Sequence, residues 1–258
     1  MFDSHCHLDG REYRGRLDEV INDAVSSGVH TMVNIGADLP SSIASVEMAQ
    51  KYASIHATVG VHPHDATTYN AVLEGELLKL LQKPKVVAIG EIGLDYYRDL
   101  SPRPVQREVF RKQLEIAVAH KLPVVIHTRD SYSDIMNIIR EYATRLSGGV
   151  FHCFPGSQFD ALEVIDLGFH ISVGGIITYP GSRMAEVAKV VPLKYILMET
   201  DCPYLTPVPF RGKPNRPSYL RYVRDKLAEL RDIDVTEAEE VTDLNSSRVY
   251  RLTETFEG

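Results

Sequence analysis

The feature that most constrains this chain is an alternation of eight short runs rich in β-branched residues with stretches of helical periodicity. MFDSHCHL (1–8), VHTMVNIG (29–36), IHATVGV (55–61) and VVAIGEIG (86–93) read as four strands. PVVIHT (123–128), GVFHCF (149–154), FHISVGG (169–175) and KYILMETD (194–201) read as four more. Between them, 13–27, 41–53, 104–121 and 131–146 place apolar residues at i, i+3, i+4 and i+7, the spacing of one helical face. Near-continuous apolar strands linked by helices imply a parallel sheet buried on both sides. An open doubly wound sheet more often has about five to seven strands, and a dinucleotide-binding one opens on GxGxxG, which is missing here. Eight units in 258 residues suit an α/β fold of the closed TIM (β/α)8 type, with a usual length of about 250 residues. One domain over 1–258 is expected. After the last strand, CPYLTPVPFRGKPNRP (202–217) reads as a long ordered loop, and Thr236 with Glu239 as the capping box of a closing helix.

Composition narrows the setting. At 44% hydrophobic the chain can fill such a core. It has no apolar run of about 18 residues, so no membrane-spanning helix is expected. The first residues lack a basic, apolar leader, and three cysteines, an odd number, suit reduced thiols, which together point to the cytoplasm. Net charge is −7, which disfavours a broad basic grip on duplex DNA. A nucleic acid held at one point near bound cations stays open.

Barrel active sites lie at strand C-termini, so polar residues there carry the chemistry. His5 and His7 stand two apart on the first strand and point to one side. Glu91, His127, His152 and Asp201 end the fourth, fifth, sixth and eighth strands at the same level. Four imidazoles and two carboxylates would be costly to bury unpaired, and divalent metal removes that cost. Zinc, manganese and similar ions accept this donor set. A metal-free polar network is the bland alternative.

His62 follows the third strand and is a candidate for substrate contact or proton transfer, while His64 reads as a cap. Alternation turns Cys6 and Cys153 away from the histidines, toward the helices, and Cys202 lies past its strand. His30, His56 and His170 begin strands and His120 ends a helix, where structural roles are expected. Arg129 could reach an anion or pair with Asp95 or Asp99. Arg211 and Lys213 could meet phosphates at the entrance or be plain surface charge.

The motifs DSHCHLD, GVHPHD, AIGEIGLDYYR, PVVIHTRD, FHCFPG, METDCPYLTP and FRGKPNRP, in order along nearly the whole chain, resemble the TatD family of metal-dependent deoxyribonucleases. The likeness is greatest to its YcfH-like members, which keep HxH on the first strand, and extends to the amidohydrolase superfamily. There a carboxylated lysine often bridges the metals, and the resemblance puts Glu91 at that position. It implies one ion held by His5, His7, Glu91 and Asp201 and a second by Glu91, His127 and His152, with His62 near the substrate. The cofactors implied are two divalent ions, zinc, magnesium or manganese. The implied activity is hydrolysis of DNA phosphodiesters from 3′ ends, single-stranded DNA being the partner, with no membrane and no obligate protein partner. Asp201 would orient the attacking water or take its proton. Competing readings are a D-aminoacyl-tRNA deacylase or other ester or amide hydrolase, a PHP-type phosphoesterase, which the ETDCP ending fits poorly, and a non-catalytic binding barrel, which should have lost ligands.

Overall fold

In the computed structural model, which describes residues 1–252, all eight expected strands form and lie in one parallel sheet in chain order. The strands are β1 (Phe2–Cys6), β2 (Thr31–Asn34), β3 (Ile55–Val59), β4 (Val86–Asp95), β5 (Val124–Arg129), β6 (Gly149–Phe151), β7 (His170–Val173) and β8 (Ile196–Met198). The first seven helices alternate with them: α1 (Leu17–Ser26), α2 (Leu39–Lys51), α3 (Ala71–Leu80), α4 (Arg103–His120), α5 (Tyr132–Tyr142), α6 (Gln158–Asp166) and α7 (Arg183–Val190). Then follow α8 (Leu220–Arg231) and α9 (Val235–Val249). The last six residues of the expected domain, 253–258, lie outside the described residues.

The sheet is a nearly closed barrel. Between β8 and β1 a single parallel bridge joins Cys6 to Cys202, just past the end of β8. Backbone bonds from Asp201 N to His5 O (2.9 Å) and from His7 N to Cys202 O (2.8 Å) complete the seam. Below them the buried Asp3 carboxylate accepts from Thr200 N (2.9 Å) and Thr200 Oγ1 (2.5 Å).

Apolar side chains fill the molecule in two zones. The larger lies between strands and helices; the smaller fills the barrel's lower interior with Phe2, Val33, Val125, Val150 and Leu197. The end of α9 closes that floor, where Tyr250 stacks on Phe2 and donates to Ser4 O at 2.8 Å. Burying the apolar layer low leaves the polar strand ends to face a cavity above, the division expected of this fold.

Most boundaries shift by one or more residues, and three of the shifts have a plain local cause. β6 and β8 are three residues each, because the chain leaves the ladder where its polar residues begin: Cys153 and Asp201 take left-handed φ angles of 43° and 51°. The closing helix is capped by Asp234, whose carboxylate accepts from Thr236 N (2.8 Å), so the Thr236–Glu239 box does not form. A carboxylate two residues earlier serves as well as a threonine hydroxyl. Glu239 instead meets the Met1 amine (2.9 Å) and Arg224 (2.7 Å).

The segment 202–217 is the expected ordered loop. Asn215 clasps it, donating from Nδ2 to Thr200 O (2.7 Å) and Tyr204 O (2.8 Å), while Tyr13 Oη donates to Asn215 O (2.7 Å). Among the described residues no helix is long and apolar enough to cross a membrane.

Candidate metal centre

Glu91 is the middle of the site, and local backbone explains how it gets there. The β4–β5 register shifts between Ile89 and Ile92, so the strand bulges where Glu91 projects. Two residues on, Gly93 has φ 145° and lies so close to β5 that a Cβ would sit 2.1 Å from His127 O. Only glycine lets β4 pass the His127 backbone at that distance.

The side chains converge around Glu91 in two groups. Its Oε2 lies 3.7 Å from His5 Nε2 and 3.9 Å from His7 Nε2. Its Oε1 lies 2.8 Å from His127 Nδ1, 2.8 Å from His152 Nε2 and 3.6 Å from His62 Nε2. Asp201 Oδ1 completes the first group at 3.7 Å from His5 Nε2 and 3.5 Å from His7 Nε2. The two groups touch, since the His5 ring stacks on His152 with centroids 4.0 Å apart.

Three overlapping donor sets have ligand atoms within 4.8 Å of one another: His5–His152–Asp201, His5–His7–Glu91 and His62–Glu91–His127. Ligands about 2.0–2.2 Å from an ion stand about 3.3–3.6 Å apart along a tetrahedral edge. The 3.5 Å separation falls within that spacing and the 3.7–3.9 Å ones lie just beyond it, while the 2.8 Å contacts are hydrogen bonds that a cation would replace. The donors are buried or half-buried imidazoles and carboxylates, so the residues present fit divalent metal. All six expected ligands are thus brought together, and His62 stands nearer Glu91 than a substrate contact alone requires.

The electrostatics of the cluster follow from its packing. Burial would raise Glu91, yet the His152, His62 and His127 imidazoles around it hold its carboxyl well below the usual range. Burial would lower His152, and Glu91 beside it more than reverses that. His7, also desolvated, is pushed up to about 9 by Asp201. His5 and His62 are held well below the ordinary imidazole value, first by burial and then by neighbouring imidazoles. Positive and negative groups are therefore interleaved on a largely buried floor, which is where perturbed ionisation marks function.

The cluster forms the floor of a cavity of about 1130 Å³. Arg98, Arg129, Arg183, Tyr179 and Tyr204 are among its walls. Arg129 lies over the Tyr97 ring at 3.9 Å and makes neither expected ion pair. Asp95 is taken by His64 and His127, and Asp99 by Arg103 at 3.1 Å. Arg211 and Lys213 stand outside the lining, exposed, with Arg211 stacked 4.2 Å over Tyr179.

Other expectations are corrected here. The cap after β3 is His62, whose Nδ1 accepts from His64 N (3.1 Å), while His64 Nε2 meets Asp95 Oδ2 at 2.9 Å. Cys153 lines the cavity instead of facing the helices, because its left-handed φ breaks strand alternation. Cys6 does turn away, donating to Val33 O at 3.3 Å.

Two buried carboxylates hold places beside the cluster that the sequence reading did not give them. Asp95 joins His64 to His127, and Glu199 accepts from Cys153 N (2.8 Å) and Ser172 Oγ (2.5 Å), 3.6 Å from His152 Nδ1. Each stands an even number of residues from a proposed ligand, Glu91 or Asp201, so strand alternation offered a signal for both.

Known proteins agree with this architecture. The TatD-related DNase family profile matches residues 2–251. A Bacillus subtilis protein described as the uncharacterized metal-dependent hydrolase YabD is 41% identical over 253 residues, covering 98% of this chain and 99% of its own. The 3′-5′ ssDNA/RNA exonuclease TatD of Klebsiella pneumoniae is 34% identical, with 98% of each chain covered. The crystal structure of a TatD homologue from Escherichia coli superposes with a TM-score of 0.93 at 30% identity, covering 98% of each chain. Barrel, donor cluster and relatives together define a metal-dependent hydrolase. The chain belongs to the TatD-related DNase family.

Proposed function

We propose that the protein is a phosphodiesterase that trims single-stranded nucleic-acid ends, most simply 3′ ends of DNA, with two divalent ions in its barrel mouth. The observation that carries this reading is the division of Glu91, whose Oε2 faces His5 and His7 while Oε1 faces His127, His152 and His62. One carboxylate set between two groups of imidazoles could serve ions held by either group. His5, His7, Glu91 and Asp201 would hold one ion, and Glu91, His127 and His152 the other. Bound there, the ions would polarise a phosphoryl oxygen and lower the pKa of an attacking water from about 15.7 toward about 7.

The chain's own groups do the rest. Asp201 holds the attacking water in line and accepts its proton as the new O–P bond forms; the P–O bond to the leaving sugar oxygen breaks, and that oxygen takes a proton from solvent. His62, on the same floor, contacts the scissile phosphate. Arg129 and Arg183 on the walls meet neighbouring phosphates. The cavity exceeds the roughly 300–1,000 Å³ typical of small-molecule pockets, which suits a strand end better than a single small ester. The exonuclease named among the relatives supports the same substrate class. The free cysteines suit a reducing cytoplasm.

The test is hydrolysis of end-labelled single-stranded DNA with Mg²⁺, Mn²⁺ or Zn²⁺ against a chelated control, followed by circular dichroism. Chelation should abolish cleavage and leave the barrel folded, since its apolar core does not depend on ions. Undiminished cleavage after chelation would remove the metal mechanism. Turnover of aminoacyl-tRNA without cleavage of DNA would reassign the bond to a carbonyl ester.

A further inference from the structure

We infer that Asp95 is a positioning residue that decides which ring nitrogen His127 offers to a metal ion. The inference rests on the reading of His127 as a ligand.

Asp95 ends β4 with a fully buried side chain, and its surroundings fix both oxygens. Oδ1 accepts from Tyr97 N (3.0 Å) and Arg98 N (2.8 Å), the backbone donors of the turn that follows. Its own N donates to Gln106 Oε1 (2.9 Å), and its carbonyl accepts from Gln106 Nε2 (3.1 Å). Oδ2 is left to face two imidazoles, His64 Nε2 at 2.9 Å and His127 Nε2 at 3.2 Å.

A carboxylate oxygen can only accept, so His127 carries a hydrogen on Nε2. Its Nδ1 meets Glu91 Oε1 at 2.8 Å and lies 3.3 Å from His152 Nε2, so with Nε2–H held by Asp95 the Nδ1 hydrogen is the one an ion would replace. Metal-ligating histidines commonly donate their other N–H to a carboxylate, and losing that partner typically costs about 10–100-fold in metal affinity. His152 is oriented the other way round, with Nε2 toward Glu91 and a buried Nδ1 that has no hydrogen-bond partner. The two rings thus offer opposite nitrogens, and Asp95 holds the one that departs from its neighbour.

Asp95→Asn separates this role from a merely structural one. The two turn N–H groups keep the amide oxygen at the Oδ1 place, so the amide N–H replaces Oδ2 and donates to His127 Nε2. The ring hydrogen is forced onto Nδ1, aimed at the ion. Asp95→Ala only removes the partner. Calorimetric titration of metal-stripped full-length protein with Zn²⁺ should show Asp95→Asn binding the second ion about 10–100-fold more weakly, at least as weakly as Asp95→Ala. Its melting temperature without metal should stay near wild type. Long-range ¹H–¹⁵N spectra of the zinc-loaded wild type should place hydrogen on His127 Nε2, a readout that holds even if a variant fails to fold.

Wild-type zinc affinity in Asp95→Asn, or hydrogen on His127 Nδ1 in the zinc-loaded wild type, overturns the assignment. So does damage confined to Asp95→Ala, which would make Asp95 structural. If His127→Ala binds zinc like the wild type, the ligand reading has failed and the assignment falls with it. If His127→Ala loses an ion while Asp95→Asn does not, only the role of Asp95 falls.

Discussion

Histidines stand at both ends of this barrel, and their fates differ. At the floor, His56 and His170 sit near the starts of β3 and β7, where burial lowers each to a pKa of about 4. Both keep an Nδ1 without a hydrogen-bond partner. His30, also on that side, is exposed and pairs with Asp243 at 3.0 Å. At the mouth, His7, His127 and His152 are as well shielded from water, yet neighbouring carboxylates raise all three. Burial alone lowers the floor imidazoles; at the mouth the carboxylates outweigh burial at His7, His127 and His152, while His5 and His62 stay low among neighbouring imidazoles.

That contrast is broken most severely at Glu91. Glu91→Ala should lower bound metal and abolish turnover together, because both imidazole groups lose the carboxylate they share. Asp201→Asn keeps a coordinating oxygen and loses the basicity, so metal should persist while kcat falls about 10²–10⁴-fold. Elemental analysis beside kcat checks the pair. Near-normal kcat in Asp201→Asn with full metal would make Asp201 a spectator.

The cavity wall should give a smaller effect. Arg129→Ala should raise KM for oligonucleotides and cut the salt slope of binding by about 1, the value for one phosphate contact. The double variant Arg211→Ala/Lys213→Ala, outside the lining, should change both less. The reverse order would move the substrate path from the Arg129 wall to the 202–217 loop.

The floor should respond least. His56→Gln and His170→Gln should leave kcat unchanged and alter only stability in acid. Unfolded, an imidazole takes its proton near pH 6.5; folded, these two take it near pH 4. The unfolded chain binds more protons between those values, so stability falls as pH drops from about 6.5 to about 4. Urea midpoints across that range should fall less in the double variant than in the wild type. An unaltered pH dependence would show that neither floor histidine is held neutral.

Much of this was legible because strand and helix periods differ. Alternation placed all eight strands, and their polar ends named His5, His7, Glu91, His127, His152 and Asp201 as one cluster. What escaped was whatever depends on leaving the period. Cys153 was sent to the wrong side because its left-handed backbone cannot be read from neighbours. Arg129 lost both expected partners to histidines and an arginine whose reach depends on loop geometry. Asp95 and Glu199 had the right parity, but their role needs the distance to a ring from another strand. Asn215 has no local signal, since its partners are backbone oxygens of a loop folded back on itself.

The seam between β1 and β8 has a consequence in time. Asp3 and Thr200, which tie it, are 197 residues apart in sequence, and His5 and His7 face Asp201 across it. During synthesis the first strand emerges with two of its donors bare and waits for about three-quarters of the chain before their partner exists. A half-made barrel therefore cannot assemble the complete cluster, however well its early βα units pack. Competence arrives in one step, late, when Asp201 reaches the edge left open by β1.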